Sequence, residues 1–312
     1  MDRKKELPLG IDLGASKLRM TYAVATSEGP RIEAVTSRER SDECSDDWIA
    51  TMLDEMRADL GARTRLCSMA LGSEESTIDA MTLPVLSYRE RVAVANIEAQ
   101  RRYPDGKSRL VRLFPTELPG KYALATADNA AVQKRKRIAA RAGLRLSLLG
   151  IDGLVWKRFY AESTAVVDIG TSSTRIHTAD GGIPKVRCYP VGGKAVTQEI
   201  ARELSIDERS AEQRKRILGS AGSGERLIGA LAAWIGERFE PSDLPHRERV
   251  LLVGNGSRLP EIRRLLAERI PQRAWLAACT EFERSRYPED IRRAAFSDWA
   301  LSIALASAGE HH

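Results

Sequence analysis

Apolar residues along this chain recur with two periods, and each switch between them marks an element. Leu7-Pro8-Leu9-Gly10-Ile11-Asp12-Leu13 is a short apolar run that closes on the small residues Gly14-Ala15-Ser16. Leu18-Arg19-Met20-Thr21-Tyr22-Ala23-Val24 then alternates as a half-buried strand does. Together they read as a β-hairpin with Asp12, Gly14 and Ser16 at its tip, and Arg31 to Ser37 as a third strand. From Asp46 to Leu60 the period changes, because Trp48, Met52, Leu53, Met56 and Leu60 fall at helical spacing. Leu66 to Leu71 is again a short apolar strand, ended by Gly72-Ser73.

From about 79 to 150 the pattern shifts. Ser87-Tyr88-Arg89-Glu90 has the spacing of a capping box and opens a helix to about Arg102. Tyr103-Pro104-Asp105-Gly106 is a turn, followed by short strands near 109–116 and 121–127. A basic helix, Asn129 to Ala142, ends at Gly143, a natural residue just past a helix end. The expectation is a small αββα insertion over 79–149. Its run Lys134-Arg135-Lys136-Arg137 has two readings, a solvated helix face and a binding patch.

The opening pattern then recurs. Thr164-Ala165-Val166-Val167-Asp168-Ile169-Gly170-Thr171-Ser172-Ser173-Thr174-Arg175-Ile176 is again strand, Asp-x-Gly turn and strand, and Asp180-Gly181-Gly182 leads into Lys185 to Val191. One β-rich unit used twice implies two similar lobes. After Gly192-Gly193 a helix is expected with Val196, Ile200 and Leu204 on one face, then a charged helix from Asp207 to Leu218 and another from Glu225 to Phe239. Arg249 to Val253 is a strand entering Gly254-Asn255-Gly256-Ser257, and Leu259-Pro260 opens a helix carrying Ile262, Leu265, Leu266 and Ile270. A last helix is expected from about Ile291 to Ser307.

Composition narrows the function classes. The chain has 312 residues, 43% hydrophobic, with 49 basic and 43 acidic residues and a net charge of +6. A small excess in a mixed surface with 5% aromatics argues against a nucleic-acid role. Cys44, Cys67, Cys188 and Cys279 form no metal-type spacing and read as reduced structural thiols. Met1 to Glu6 is polar, which is not a signal peptide, and no stretch reaches the ~20 apolar residues of a membrane span. Gly106-Lys107-Ser108 is a decoy, because a P-loop requires glycine where Arg101 stands.

Candidate chemistry sits in the glycine turns. Small residues let backbone N–H groups approach a phosphate, and an aspartate at the strand end can hold Mg²⁺ through water. Asp12 and Asp168 would clamp a polyphosphate from both sides with their turns, Gly14-Ala15-Ser16-Lys17 and Gly170-Thr171-Ser172. Taken singly, each turn also reads as an ordinary hairpin. The Gly254-Asn255-Gly256-Ser257 loop would let backbone pack on a flat adenine, or is the strand-to-helix turn of any α/β protein.

In order, Gly10-Ile11-Asp12-Leu13-Gly14, Val167-Asp168-Ile169-Gly170-Thr171 and Val253-Gly254-Asn255-Gly256-Ser257 resemble the phosphate-1, phosphate-2 and adenosine motifs of the actin/Hsp70/sugar-kinase superfamily. Between the last two, Val191-Gly192-Gly193-Lys194-Ala195-Val196-Thr197-Gln198-Glu199-Ile200-Ala201 and Ala211-Glu212-Gln213-Arg214-Lys215-Arg216 are similar to a segment of the FtsA and PilM branch. The resemblance covers nearly the whole chain. It implies an α/β, actin-like (ribonuclease H-like) two-lobed fold: a first lobe over 1–78 completed by about 150–163, the inserted α+β subdomain, and a second lobe over 164–310 with a small part at about 201–247. It implies ATP and Mg²⁺ as ligands, with Asp12 and Asp168 on the metal and Gly192 and Gly193 near the phosphates. Glu212 and Lys215 would reach ribose and adenine; without that context they read as a solvent-facing helix pair.

Within the branch the early insertion, Leu83-Pro84-Val85-Leu86-Ser87 with Asn96-Ile97-Glu98-Ala99-Gln100, and the end of the chain after Phe296-Ser297-Asp298-Trp299-Ala300-Leu301-Ser302-Ile303-Ala304-Leu305 resemble PilM, the cytoplasmic proteins of type IV pilus assembly. That implies a partner, the short N-terminal tail of a PilN-like inner-membrane protein. It also implies a peripheral place at the inner face of that membrane without insertion, and self-association as a further option. A peptide groove would involve Leu86, Tyr88 and Val92, each of which reads equally as a core residue. Two departures bear on activity. Asn255 stands where glycine is usual, and Asp152, without the usual acidic-Pro-small pattern, reads either as the residue orienting the attacking water or as an isolated Asp-Gly turn. The expectation is nucleotide binding with slow hydrolysis or none. An FtsA-like filament protein and an actin-fold adaptor without nucleotide stay open; a sugar kinase lacks its glycine-rich substrate loop.

Overall fold

The computed structural model describes residues 5–308 except 28, 42, 105, 107, 160–163, 181, 221, 239–248, 270–273 and 278–297. Cys279, Phe239, Ile270 and the start of the expected last helix lie outside the described residues. The chain divides into two units: Met1–Glu162 with Thr178–Val186 and Leu301–His312, and Ser163–His177 with Arg187–Ala300.

The first unit is built on β1 (Lys5–Glu6), β2 (Leu9–Leu13), β3 (Lys17–Thr26), β4 (Gly29–Glu39), β5 (Leu66–Leu71) and β9 (Arg145–Ile151). Their order is β1-β3-β2-β5-β9, with β4 on β3. The hairpin β2–β3 pairs Ile11 with Met20 and Asp12 with Arg19. β2, β5 and β9 run parallel, so they end at one edge, the side where ligands of open α/β sheets bind. Helix α1 (Asp46–Asp59) starts where Ser45 accepts a bond from Trp48 N at 3.1 Å. It buries Ile49, Leu53 and Met56 against Leu9, Ile11, Leu18, Met20 and Met69. The same core takes Ile138 and Ala139 of α3 (Asn129–Arg141).

Helix α9 (Ala300–Ala308) returns to this unit and lies directly on β2. A Cβ on Gly10 would stand 1.8 Å from Ser302 O and 2.5 Å from Ala306 N, so only glycine permits the approach. Thr21 and Ser302 share a buried hydroxyl bond of 2.8 Å beside it.

The small insertion differs from the αββα expectation. A strand the sequence pattern does not reveal, β6 (Ser76–Thr82), pairs along its length with β8 (Lys121–Asp128), and β7 (Arg109–Pro115) closes the order β6-β8-β7. Helix α2 (Tyr88–Arg102) covers this sheet, through Met81, Leu83, Ala95 and Leu124. The capping box is present, Ser87 N to Glu90 Oε2 at 2.8 Å and Glu90 N to Ser87 Oγ at 3.4 Å. Helix α3 belongs to the larger core instead, because its apolar residues Ile138 and Ala139 point to α1. Its basic run is a partly paired surface: Arg135 bonds Glu75 at 2.6 Å and Lys134 lies 3.3 Å from Asp46.

The second sheet is β10 (Thr164–Ile169), β11 (Thr174–Asp180), β12 (Ile183–Tyr189), β13 (Arg249–Val253) and β14 (Ala274–Ala277), in the order β12-β11-β10-β13-β14, and all of it but Thr178–Val186 belongs to the second unit. β14 is a second strand the pattern misses; its four residues are too short a run to show a period. Helices α5 (Gly193–Leu204), α6 (Glu208–Leu218), α7 (Glu225–Glu237) and α8 (Pro260–Arg269) bury Val196, Ile200, Ala211, Ile228, Leu231 and Ile262 on Val167, Ile169, Val250 and Leu252. Leu204 is the exception to the expected face of α5: it is exposed at the last turn, before Ser205 turns left-handed at φ 53°.

Cys44, Cys67 and Cys188 are free thiols, and burial pushes Cys67 up to about 12. No helix among the described residues is long and apolar enough to cross a membrane.

Candidate functional site

The two Asp-x-Gly turns are the same construction in each unit. In the first, β2 delivers Asp12 and the chain reverses through Gly14, Ala15 and Ser16. Arg19, directly opposite on β3, places Nη1 3.0 Å from Asp12 Oδ2. Both side chains are largely buried, at 9% and 18% exposure. A Cβ on Gly14 would meet Lys17 O at 2.8 Å and Arg19 Nη1 at 3.1 Å, so the guanidinium lies against the turn itself. Lys17 Nζ is 3.8 Å from Glu39 on β4, and Ser16 O accepts from Arg40 N at 2.9 Å.

Asp152 stands at the end of β9, on the same edge of the first sheet as Asp12. It opens helix α4 (Asp152–Phe159), which replaces the reading as an isolated Asp-Gly turn. The residue is buried, and its Oδ1 accepts from the adjacent backbone N–H, Gly153 N, at 2.7 Å.

In the second unit β10 delivers Asp168, and Arg175 is its register partner on β11, Nη1 to Oδ2 at 3.8 Å. Gly170 N closes the turn onto Ser173 O at 2.9 Å, with Thr171 and Ser172 at the tip. The Gly192-Gly193 pair sits against this turn. A Cβ on Gly192 would lie 2.6 Å from both Gly170 O and Thr171 O. Gly193 N donates to Gly170 O at 2.9 Å and Lys194 N to Thr171 O at 2.8 Å. Two N–H groups of the first turn of α5 therefore serve the Asp168 loop.

Glu212 and Lys215, from α6, meet the start of α5. Lys215 Nζ donates to Gly193 O at 2.8 Å, Thr197 Oγ1 at 2.6 Å and Glu212 Oε2 at 2.6 Å. Thr197 donates to the same Glu212 oxygen at 2.5 Å. Burial alone raises the Glu212 carboxyl, but the bonds from Lys215 and Thr197 outweigh it and hold it below its usual value. Burial pulls the Lys215 ammonium down, against the pull of Glu212. The pair is thus a half-buried network and not a solvent-facing one. Thr197 is its third member, which sequence reasoning did not single out.

Gly254, Asn255, Gly256 and Ser257 form a turn and a short 3-10 helix after β13. Gly254 has φ 80°, and a Cβ there would meet Asp168 Oδ1 and Ile169 O at 2.5 Å. One on Gly256 would meet Ile169 Cγ2 at 2.2 Å. These glycines are required by the packing of the loop on β10. Ser257 Oγ donates to Gly254 O at 2.7 Å, and Asn255 is half-buried.

Within the second unit the structure therefore gathers Asp168, Gly170, Thr171, Gly192, Gly193, Glu212, Lys215, Gly254 and Gly256. Arg19 and Arg175 were also not singled out, although each follows its aspartate at the same distance in both repeats. The donor set does not fit the expected Mg²⁺ site. Arg19 is hydrogen-bonded to Asp12 at 3.0 Å and Arg175 lies 3.8 Å from Asp168, so each carboxylate already faces a positive charge from the neighbouring strand.

No protein-family model matches the chain, and no curated protein matches its sequence. Solved structures do match. PilM of a PilM–PilN type IV pilus biogenesis complex superposes with a TM-score of 0.78 at 22% identity, covering 98% of this chain and 99% of that chain. The ethanolamine utilization protein EutJ from Carboxydothermus hydrogenoformans gives a TM-score of 0.61 at 17% identity, covering 98% and 92%. The likeness is one of fold: this chain has the mixed α/β actin-like fold that PilM has.

Proposed function

We propose that this chain is a nucleotide-binding scaffold of a type IV pilus-type assembly platform, stationed at the inner face of the inner membrane by the N-terminal tail of a PilN-like protein. The observation that carries the reading is the end-to-end match to PilM, a structure solved with PilN. A match over 98% of the chain includes α2 and the sheet β6-β8-β7, not only the part common to actin-like proteins. On α2, Tyr88 and Val92 are exposed beside half-buried Leu86, an apolar strip suited to a short peptide. ATP is the proposed nucleotide, with the Asp168 turn, the Gly192-Gly193 start of α5, the Glu212–Lys215 pair and the Gly254 loop as its candidate residues in the second unit and the Asp12 turn as the candidate in the first. Asp152 would orient water, with slow turnover.

An adaptor without nucleotide is the second reading. It is favoured by the N–H groups of Gly193 and Lys194, which already bond the Asp168 loop.

Calorimetric titration with the N-terminal tail peptide of a PilN-like protein tests the scaffold. Micromolar binding, weakened about tenfold or more in Tyr88→Asp, is the expected result. A folded protein that ignores the peptide overturns it. Titration with ATP then separates the two readings.

A further inference from the structure

We propose that the arginine facing each Asp-x-Gly aspartate, Arg19 in the first unit and Arg175 in the second, stands in for the divalent cation at its own turn, so that nucleotide polyphosphate is met there without Mg²⁺. The inference rests on the nucleotide reading above and concerns how that ligand's charge is met.

The first observation is duplication. In both hairpins an arginine is the antiparallel register partner of the Asp-x-Gly aspartate, Arg19 for Asp12 and Arg175 for Asp168. Residues directly opposite on antiparallel strands bring their side chains together. The pairing is therefore built into the backbone register of each unit. The second observation is what it does to the carboxylates. Asp12 Oδ2 is 3.0 Å from Arg19 Nη1, and Asp168 Oδ2 is 3.8 Å from Arg175 Nη1. The other oxygen of Asp168 borders the backbone of Gly254, where a Cβ would be 2.5 Å away. A carboxylate neutralised by a fixed guanidinium attracts a hydrated Mg²⁺ weakly, and the cation would also approach a positive charge.

The third observation is where the positive charge sits. Arg19 Nη1 would be 3.1 Å from a Cβ on Gly14, so the guanidinium lies under the turn that a phosphate would approach. A guanidinium stays protonated at all working pH values and carries five donors in a fork that matches phosphate oxygens. Its charge-assisted bonds are short and strong. The aspartates then position the arginines, and the arginines carry the ligand's charge.

The test is titration of the full chain with ATP in excess Mg²⁺ and in EDTA. Equal affinities, within about threefold, are expected. Arg175→Met is expected to weaken binding in EDTA about tenfold or more, and to make the remaining binding Mg²⁺-dependent by uncovering Asp168. Arg175→Lys should restore part of the loss. Asp168→Asn keeps the shape, removes the counter-charge, and is expected to tighten binding in EDTA. Wild-type binding that appears only with Mg²⁺, or is abolished in Asp168→Asn, overturns the arginine assignment while leaving the nucleotide reading in place. A folded wild type that binds ATP in neither buffer overturns both. Unchanged affinity in Arg175→Met and Arg19→Met shows purely structural ion pairs and also overturns the proposal.

Discussion

At the scale of single residues, the side chains that matter most here are buried polar groups whose partners come from a neighbouring strand. His177, two residues beyond Arg175 on β11, illustrates the energetic consequence. Burial pulls its imidazole down to about 3, and the charge of Arg175 acts in the same direction. The folded protein keeps it neutral, whereas the unfolded chain takes up a proton below its ordinary value of 6.5. The unfolded state then binds more protons, so stability is complete above the unfolded value and falls as the pH drops toward the folded one. The expected loss between about pH 7 and about pH 5 is about 2 kcal/mol. Urea unfolding at the two pH values measures it, and His177→Gln should flatten the difference. An unchanged slope in the variant assigns the pH dependence to other groups.

At the scale of elements, ownership of a helix is decided by the face it buries. Helix α3 follows directly on the strands of the small sheet, yet Ile138 and Ala139 pack with α1 and β2. Ile138→Ala is therefore expected to cost the first unit about 2–5 kcal/mol and to speed amide exchange in β2 and β5. Leu124→Ala, in the small sheet, should speed exchange in β6 to β8 and spare β2. Protection of β2 unaffected by Ile138→Ala would assign α3 to the insertion after all. Much at this scale was legible. The 3.6-residue spacing located α1 and α5, and the Ser87/Glu90 box marked the start of α2 to the residue. β6 was not, because Ser-Thr-Ile-Asp-Ala-Met-Thr buries only Ser76 and Met81 and so carries a weak alternation.

At the scale of the whole molecule, the chain leaves the first unit and returns to it in its last described helix, α9. Gly10 and Thr21 near the start of the chain are completed by Ser302 and Ala306 near its end. The nucleotide and peptide readings meet at this scale, since coupling between two ligands is reciprocal. If ATP tightens the PilN-like peptide by some factor, the peptide must tighten ATP by the same factor. A factor of about 5 or more is expected from two calorimetric titrations, each run with and without the other ligand. Equal affinities in both arrangements would make the scaffold a passive one.

The sequence by itself determined what depends on near neighbours. Strand–turn–strand with an Asp-x-Gly tip recurs at Asp12 and Asp168 because small residues and alternation act locally, and the helices follow from spacing and caps. The repeated Arg19 and Arg175 were visible as well, though only strand register shows that each faces its aspartate. Tertiary structure alone decided that Gly10 exists for α9, that Gly254 and Gly256 exist for β10, and that the first turn of α5 bonds the Gly170-Thr171 carbonyls. Those contacts join residues far apart in the chain. Their energy comes from burial and close packing, which no local pattern of residues encodes.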